Sequence, residues 1–483
     1  MARRLRLPAF DSGEVLLAAA LAGLTALVAF AGVHKLGTTG LFLPLLLVLA
    51  GIMLSRPLAA VTLVVGLAII CEGESFGLLT FASHLYTQVY RDISLLDVLV
   101  ALAILAVGLD VLRHRRPVRV PRPLALPLAI LALAMVAGVV TGRAAGASLR
   151  FAVASEHVLA YLLLMPLAIG NLDIDRRQVM RLLTGAMALA IVKAILGLIE
   201  VAGHYGTAIE GASTLTYYEP VANWLIMIAM LTVFAALLAR VRLPWWLLLG
   251  TPLLIACLVL SYRRSFWIGA VLGVMLVVML GSSSAGRRLL VPATLGVFAA
   301  ILLLGSINFQ SQSPIVKRVS SLAPAKLETN VQDSYRLDER ANVLGAIGEH
   351  PITGLGVTIP WAATVQPLSV EHEEGRQYVH FAALWFWLKL GILGLFAYVG
   401  LIAGSMTVAW QAWRRSTEPL LRAFGLASLC GIAGLIAIDT TASFTGVEPR
   451  FTLLFGMQVG LLALVARTAG LSAEGRSTLA RDG

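Results

Sequence analysis

The sequence predicts an all-α polytopic integral membrane protein: a bundle of roughly twelve to fourteen transmembrane helices with one long extracytoplasmic loop containing short helices. Two observations carry that prediction. Hydrophobic residues make up 59%, charged residues only 13%, and mean hydropathy is +0.87, whereas a soluble chain carries about 25% charged residues. Closely spaced apolar runs also fill the chain except for one polar interruption, residues 306–379. That organisation gives an N-terminal helical part (1–305), the loop (306–379), C-terminal helices (380–467) and a polar, disordered cytoplasmic tail (468–483).

Apolar runs fall near residues 14–33, 38–54, 57–71, 93–112, 123–141, 150–170, 178–200 and 221–239, then 243–260, 265–281, 289–305, 380–410, 420–438 and 450–467. The run at 57–71 is the weakest, and that at 380–410 is long enough to begin outside the hydrocarbon. Helices are expected throughout, because backbone polar groups in lipid must be satisfied within the chain. The basic start MARRLRLPAF is interrupted by Asp11 and Glu14 before the first apolar run and has no convincing small-residue cleavage site. It therefore reads as an uncleaved first helix.

The net charge of +11 is no sign of nucleic-acid binding, because the arginines cluster between apolar runs. With the N-terminus cytoplasmic, alternation puts 113–122, Arg176/Arg177, Arg240/Arg242, Arg287/Arg288 and Arg414/Arg415 inside, as the positive-inside rule requires. Both termini then lie in the cytoplasm. Arg263-Arg264 is the exception, falling on the outer face with the long loop. Cys71, Cys257 and Cys430 show no metal-ligand spacing, so neither a disulfide nor a metal site is expected.

Within the loop, DSYRLDERANVLGAIGEHPITGLG (333–356) predicts a helix capped by Asp333 or Ser334. Arg336 and Arg340, four apart, share a face of it. The helix should stop before Pro351, and ITGLG should turn the chain. Both arginines could simply pair with Asp333, Asp338 or Glu339. The loop holds six Lys/Arg against eight Asp/Glu, so arginine placement rather than bulk charge would have to recognise an anion. The guanidinium fork suits phosphate.

Arg263 and Arg264 sit at a predicted helix boundary, where they would either snorkel to headgroups or hold a membrane-embedded anion. His380 opens the apolar segment after the loop. It is either an interfacial polar residue or an acid–base group for a hydroxyl. In TLTYYEPVANW (214–224), Glu219 and Asn223 flank a helix start and could hold a sugar. Glu448 and Arg450 flank Pro449 and could pair with each other. No P-loop or HExxH motif occurs, so energy for a reaction would have to arrive with the substrate.

In order along the chain, TLTYYEPVANW, YRRSFWIG, RLDERANVLGAIGEHPITGLG and HFAALWFWLKLGILGLF resemble the segments of the O-antigen ligase and polymerase superfamily of bacterial membrane glycosyltransferases. These are a Pro-Asn helix start, Ser-Arg-Gly-x-Trp, an Arg-led helix ending in His-Pro-x-x-Gly-x-Gly, and His-Asn-x-x-Leu with Gly-Ile-x-Gly. The resemblance spans about 214–410. Phe381 departs from it, standing where the family has Asn or Ser, as do Val221-Ala222, which separate Pro220 from Asn223.

The resemblance implies inverting transfer, without metal or cofactor, of a glycan from an undecaprenyl-diphosphate donor to an acceptor hydroxyl at the outer face. The acceptor would be a glycan, a lipid or a protein. It implies that Arg263, Arg264, Arg336 and Arg340 hold the diphosphate and that His380 activates the acceptor. Glu219, Asn223 and Arg450 would then touch sugar or acceptor. A polymerase of the same superfamily would use the same residues. A transporter would instead place polar sites near the bilayer midplane, often in repeats, and neither feature is visible.

Overall fold

The computed structural model describes residues 43–71, 85–86, 88–90, 93–203, 207–208, 215–216, 220–282, 331–368 and 377–479. The predicted segments at 14–33 and 289–305, and Glu219, lie outside them. Described helices are α1 (Leu43–Ser55), α2 (Pro57–Ile70), α3 (Leu95–Arg113), α4 (Arg122–Ala144), α5 (Leu149–Ser155), α6 (His157–Gly170) and α7 (Arg176–Ala202). They continue with α8 (Pro220–Leu238), α9 (Trp245–Leu260), α10 (Arg264–Gly281), α11 (Val331–Glu349), α12 (Ala382–Arg415), α13 (Pro419–Asp439) and α14 (Pro449–Leu479). Two antiparallel hairpins, β1 (Gln88–Tyr90) with β2 (Ile93–Ser94) and β3 (Thr207–Ala208) with β4 (Leu215–Thr216), complete the described elements.

The chain is a multi-pass membrane protein. Among the described residues, nine helices are long and apolar enough to cross a bilayer, or ten with the bent pair α1–α2. That pair turns through 120° at Arg56–Pro57. Proline removes a backbone donor and pushes the preceding residue out of the α region, and Arg56 lies at φ −131°, ψ 80°. The run at 243–260 becomes α9, a shorter apolar helix of 16 residues. Helix α14 runs on to Leu479, past residue 468 where the sequence reading began a disordered tail. Ala469, Leu471, Ala473, Glu474 and Arg476 there are good helix formers, which Gly470 and Gly475 are not.

Helix α12 packs along α4 and α13, α14 along α6, and α10 against α13 and α8. Hydrogen bonds show which helix ends lie together. At one end, Arg119 N–H donates to Asn171 Oδ1 (2.8 Å), Arg176 pairs with Glu418 (2.6 Å), and the Arg467 guanidinium donates to the Gly170 and Leu172 carbonyls (2.8 and 2.7 Å). The opposite end gathers the starts of α8, α10, α12 and α14 with the end of α13. There Trp224 packs on Phe451 (5.5 Å), Phe266 on Phe444 (5.6 Å), and Tyr378 O–H donates to the Ser443 carbonyl (3.2 Å).

Candidate active site

Helix α11 begins at Val331, upstream of the predicted caps Asp333 and Ser334, and ends at Glu349 before Pro351. Its inward face carries apolar Tyr335, Val343, Ala346 and Ile347 together with two polar residues, Glu339 and Asn342, which are 2% and 0% exposed. Asn342 uses every donor and acceptor position it has. Its Oδ1 accepts from Val365 and Gln366 N–H (2.7 and 3.0 Å), while Nδ2 donates to the Asp338 and Gln366 carbonyls (2.9 and 2.8 Å). One side chain thus ties the extended segment after the turn back onto the helix.

The turn at 350–356 locks into a break in α12. Gly391 sits there at φ 67°, ψ −163°, a backbone state open to glycine alone without strain. Across the break, Leu355 N–H donates to the Leu388 carbonyl (2.7 Å), Gly356 N–H to Lys389 (3.1 Å), and Ile392 N–H to Ile352 (3.1 Å). A Cβ on Gly391 would lie 2.0 Å from the Ile352 carbonyl oxygen, and one on Gly354 2.6 Å from Gly391 N. The glycines of ITGLG and of LGILG therefore meet backbone to backbone. Their contact fixes the first segment of α12, just after His380, against the end of α11.

That packing delivers His380 to Glu339. The Glu339 carboxylate accepts the His380 backbone N–H (2.8 Å) and faces ring atom Nδ1 at 3.1 and 3.2 Å. The carboxylate side chain is 3% exposed and the imidazole 25%, so the acid is shielded while the ring reaches open space. With Nδ1–H donated to Glu339, the lone pair lies on Nε2.

Aromatic neighbours brace the ring edge to face, Tyr378 at 4.8 Å and Tyr335 at 5.9 Å. The Trp361 indole N–H holds the Tyr378 carbonyl (3.1 Å), and Ser443 Oγ–H donates to the Val379 carbonyl. Buried Asp439 shapes the loop carrying Ser443, accepting from Tyr398 O–H (3.0 Å), Thr445 Oγ–H (2.8 Å) and Phe444 N–H (3.3 Å). Burial, then the Glu339 carboxylate, push the Tyr378 phenol well above its ordinary range, opposed by the Arg263 guanidinium. Tyr378 stays neutral, a brace rather than an acid or base.

Arg336, Glu339, Arg340, Val379, His380, Phe381, Leu384 and Thr440 line a cavity of about 250 Å³. Arg336 and Arg340 reach it from one face of α11. The Arg340 guanidinium lies 5.9 Å from the Phe381 ring centroid, and among the described residues it meets no carboxylate at ion-pair distance. Glu339, one of the carboxylates that sequence offered to these arginines, is committed to His380 instead.

Arg263 and Arg264 do not line this cavity. Arg263 precedes the first turn of α10 with its guanidinium 5.6 Å from the Phe444 ring. Its positive charge acts on the Tyr378 phenol, and Tyr378 in turn packs on the His380 ring. Arg264 is the first residue of α10.

Asn223 is wholly buried near the start of α8. Its amide has no hydrogen-bond partner among the described residues. Arg450 spans inward: its Nε–H and Nη2–H donate to the Ala68 and Ile69 carbonyls (2.6 and 3.1 Å). Glu448 caps α14 by accepting Phe451 N–H. Sequence reasoning missed Glu339, Tyr378 and Asp439 as site residues. For Glu339 a signal existed, since its i+3 position from Arg336 places it on the arginine face.

Fold and site together define a polytopic membrane protein with a carboxylate-backed histidine and two arginines around a cavity at one end of its helical bundle. Residues 249–399 match the O-antigen ligase family, a span holding the Arg263-Arg264 pair, all of α11, His380 and the break at Gly391. The match supports a membrane enzyme of the glycosyltransferase kind, acting in O-antigen assembly on a lipid-linked glycan and an acceptor. No curated protein matches the chain.

Proposed function

We propose that the chain transfers a glycan from an undecaprenyl-diphosphate carrier to an acceptor hydroxyl, at the outer face of the bacterial inner membrane. The observation carrying this reading is the Glu339–His380 pair in the wall of a cavity shared with Arg336 and Arg340. His380 Nε2 takes the proton of the acceptor hydroxyl as its oxygen bonds to the anomeric carbon. The bond from that carbon to the diphosphate oxygen breaks on the opposite face, and the diphosphate leaves with the electron pair, so configuration inverts. Glu339 holds the ring through Nδ1–H and offsets the charge of the imidazolium that forms.

The leaving diphosphate gains negative charge in the transition state. Guanidiniums already in position stabilise it without reorganisation, a role assigned to Arg336 and Arg340. Arg263 adds positive potential, and Arg264 sits at the same helix start; Glu219, Asn223 and Arg450 are assigned to the flanking sugar and acceptor region. The basic groups at the other end of the bundle, including Arg116, Arg119 and Arg176, fit a cytoplasmic location by the positive-inside rule. On this reading the His380 end faces outward.

Surface glycans of a deletion strain test the reading. Undecaprenyl-linked chains accumulating at full length indicate a ligase, and accumulating single repeat units indicate a polymerase of the same chemistry. Unchanged glycans and unchanged lipid-linked pools would contradict both.

A further inference from the structure

The cavity wall has two chemical halves. Arg336, Glu339, Arg340, His380 and Thr440 form a polar half, while Val379, Phe381 and Leu384 form an apolar one. Val379 and Leu384 are 1% and 7% exposed, and Phe381 is only half-buried. The broad apolar surface offered to a ligand is therefore the Phe381 ring, next in sequence to the acid–base histidine. The Arg340 guanidinium lies over that ring, held by a cation–π attraction that is weak where solvent reaches it. A diphosphate offers Arg340 charge-assisted, forked hydrogen bonds, which are stronger.

We propose that Phe381 is the acceptor platform, taking the apolar C–H face of a sugar ring, and that Arg340 covers it until donor diphosphate draws the guanidinium away. This rests on the glycosyl-transfer reading and specifies its acceptor as a carbohydrate hydroxyl. A pyranose has one face of C–H groups and a rim of hydroxyls, matching an aromatic plane beside a histidine. A serine or threonine hydroxyl on a peptide presents no such face. Donor binding would uncover the platform, so the acceptor enters second.

The full-length protein in nanodiscs, supplied with an undecaprenyl-diphosphate-linked oligosaccharide, tests this. The acceptors are methyl glycosides of glucose and galactose, or a threonine-containing peptide. Released undecaprenyl diphosphate and glycosylated product are both measured. The glycosides should accept, the peptide should not, and initial rates should follow an ordered pattern with donor first. Phe381→Leu should raise the glycoside KM about tenfold while kcat falls less than about threefold, as loss of an aromatic contact predicts. Phe381→Tyr should restore the KM.

An unchanged glycoside KM in Phe381→Leu, or preference for the peptide, overturns the platform. Random-order kinetics overturn the Arg340 cover. A wild-type protein that cleaves no donor at all overturns the glycosyl-transfer reading itself, and that outcome is separable because it appears before any variant or acceptor is compared.

Discussion

Two groups of arginines, one at each end of the bundle, meet different surroundings. At one end the guanidiniums are consumed by structure: Arg116 pairs with Asp110 and Asp173, Arg176 with Glu418, and Arg467 takes two backbone carbonyls. At the other, Arg336 and Arg340 open onto a cavity while the nearby carboxylate, Glu339, is spent on His380. The difference teaches that arginine number says little in a membrane protein. A latch spends its guanidinium on a carboxylate or on backbone carbonyls, as Arg450 also does at the His380 end, whereas a site turns it toward a cavity.

That contrast can be broken in several places. Glu339→Gln keeps the shape but removes the charge that holds His380. Transfer should drop by about 10²- to 10⁴-fold, the range for acid–base catalysis and for the acidic partner of a catalytic histidine, with membrane insertion unchanged. Arg336→Lys should cost about 10- to 10²-fold in kcat/KM, because lysine lacks the planar fork; the check is donor titration in nanodiscs.

Gly391→Ala brings a Cβ to 2.0 Å from the Ile352 oxygen at positive φ. It should lower the melting temperature of the detergent-purified protein and reduce transfer together, since the lock between turn and α12 positions His380. Smallest is Arg176→Ala at the opposite end. Its side chain is 51% exposed, and exposed pairs contribute about 0–1 kcal/mol. Melting should shift only slightly and transfer not at all. A transfer loss there comparable to that of Arg336→Lys would erase the distinction between the two ends.

The parts of this picture readable in sequence were the local ones. Arg336 and Arg340 share a face because the helical period puts residues four apart together, and Pro351 stops α11 because proline restricts the residue before it. The break at Arg56–Pro57 was legible, since the apolar runs 38–54 and 57–71 stop and restart across it, but its 120° angle was not. What sequence concealed was long-range. Glu339 finds His380 across 41 residues, and Gly354 meets Gly391 only after both turn and break have formed.

Arg450 carries the same lesson. Its neighbour Glu448 suggested a local ion pair, yet two of its acceptors, the carbonyls ending α2, lie more than 380 residues earlier in the chain. Periodicity predicts faces; it does not predict which distant group a face will meet.

The most direct measurement compares wild-type protein and His380→Ala in nanodiscs under single-turnover conditions, following transfer of labelled glycan from undecaprenyl diphosphate, with folding checked by melting. Loss of transfer by about 10²-fold or more, with donor binding retained, is the predicted result. Transfer at the wild-type rate by a folded His380→Ala protein would contradict the account.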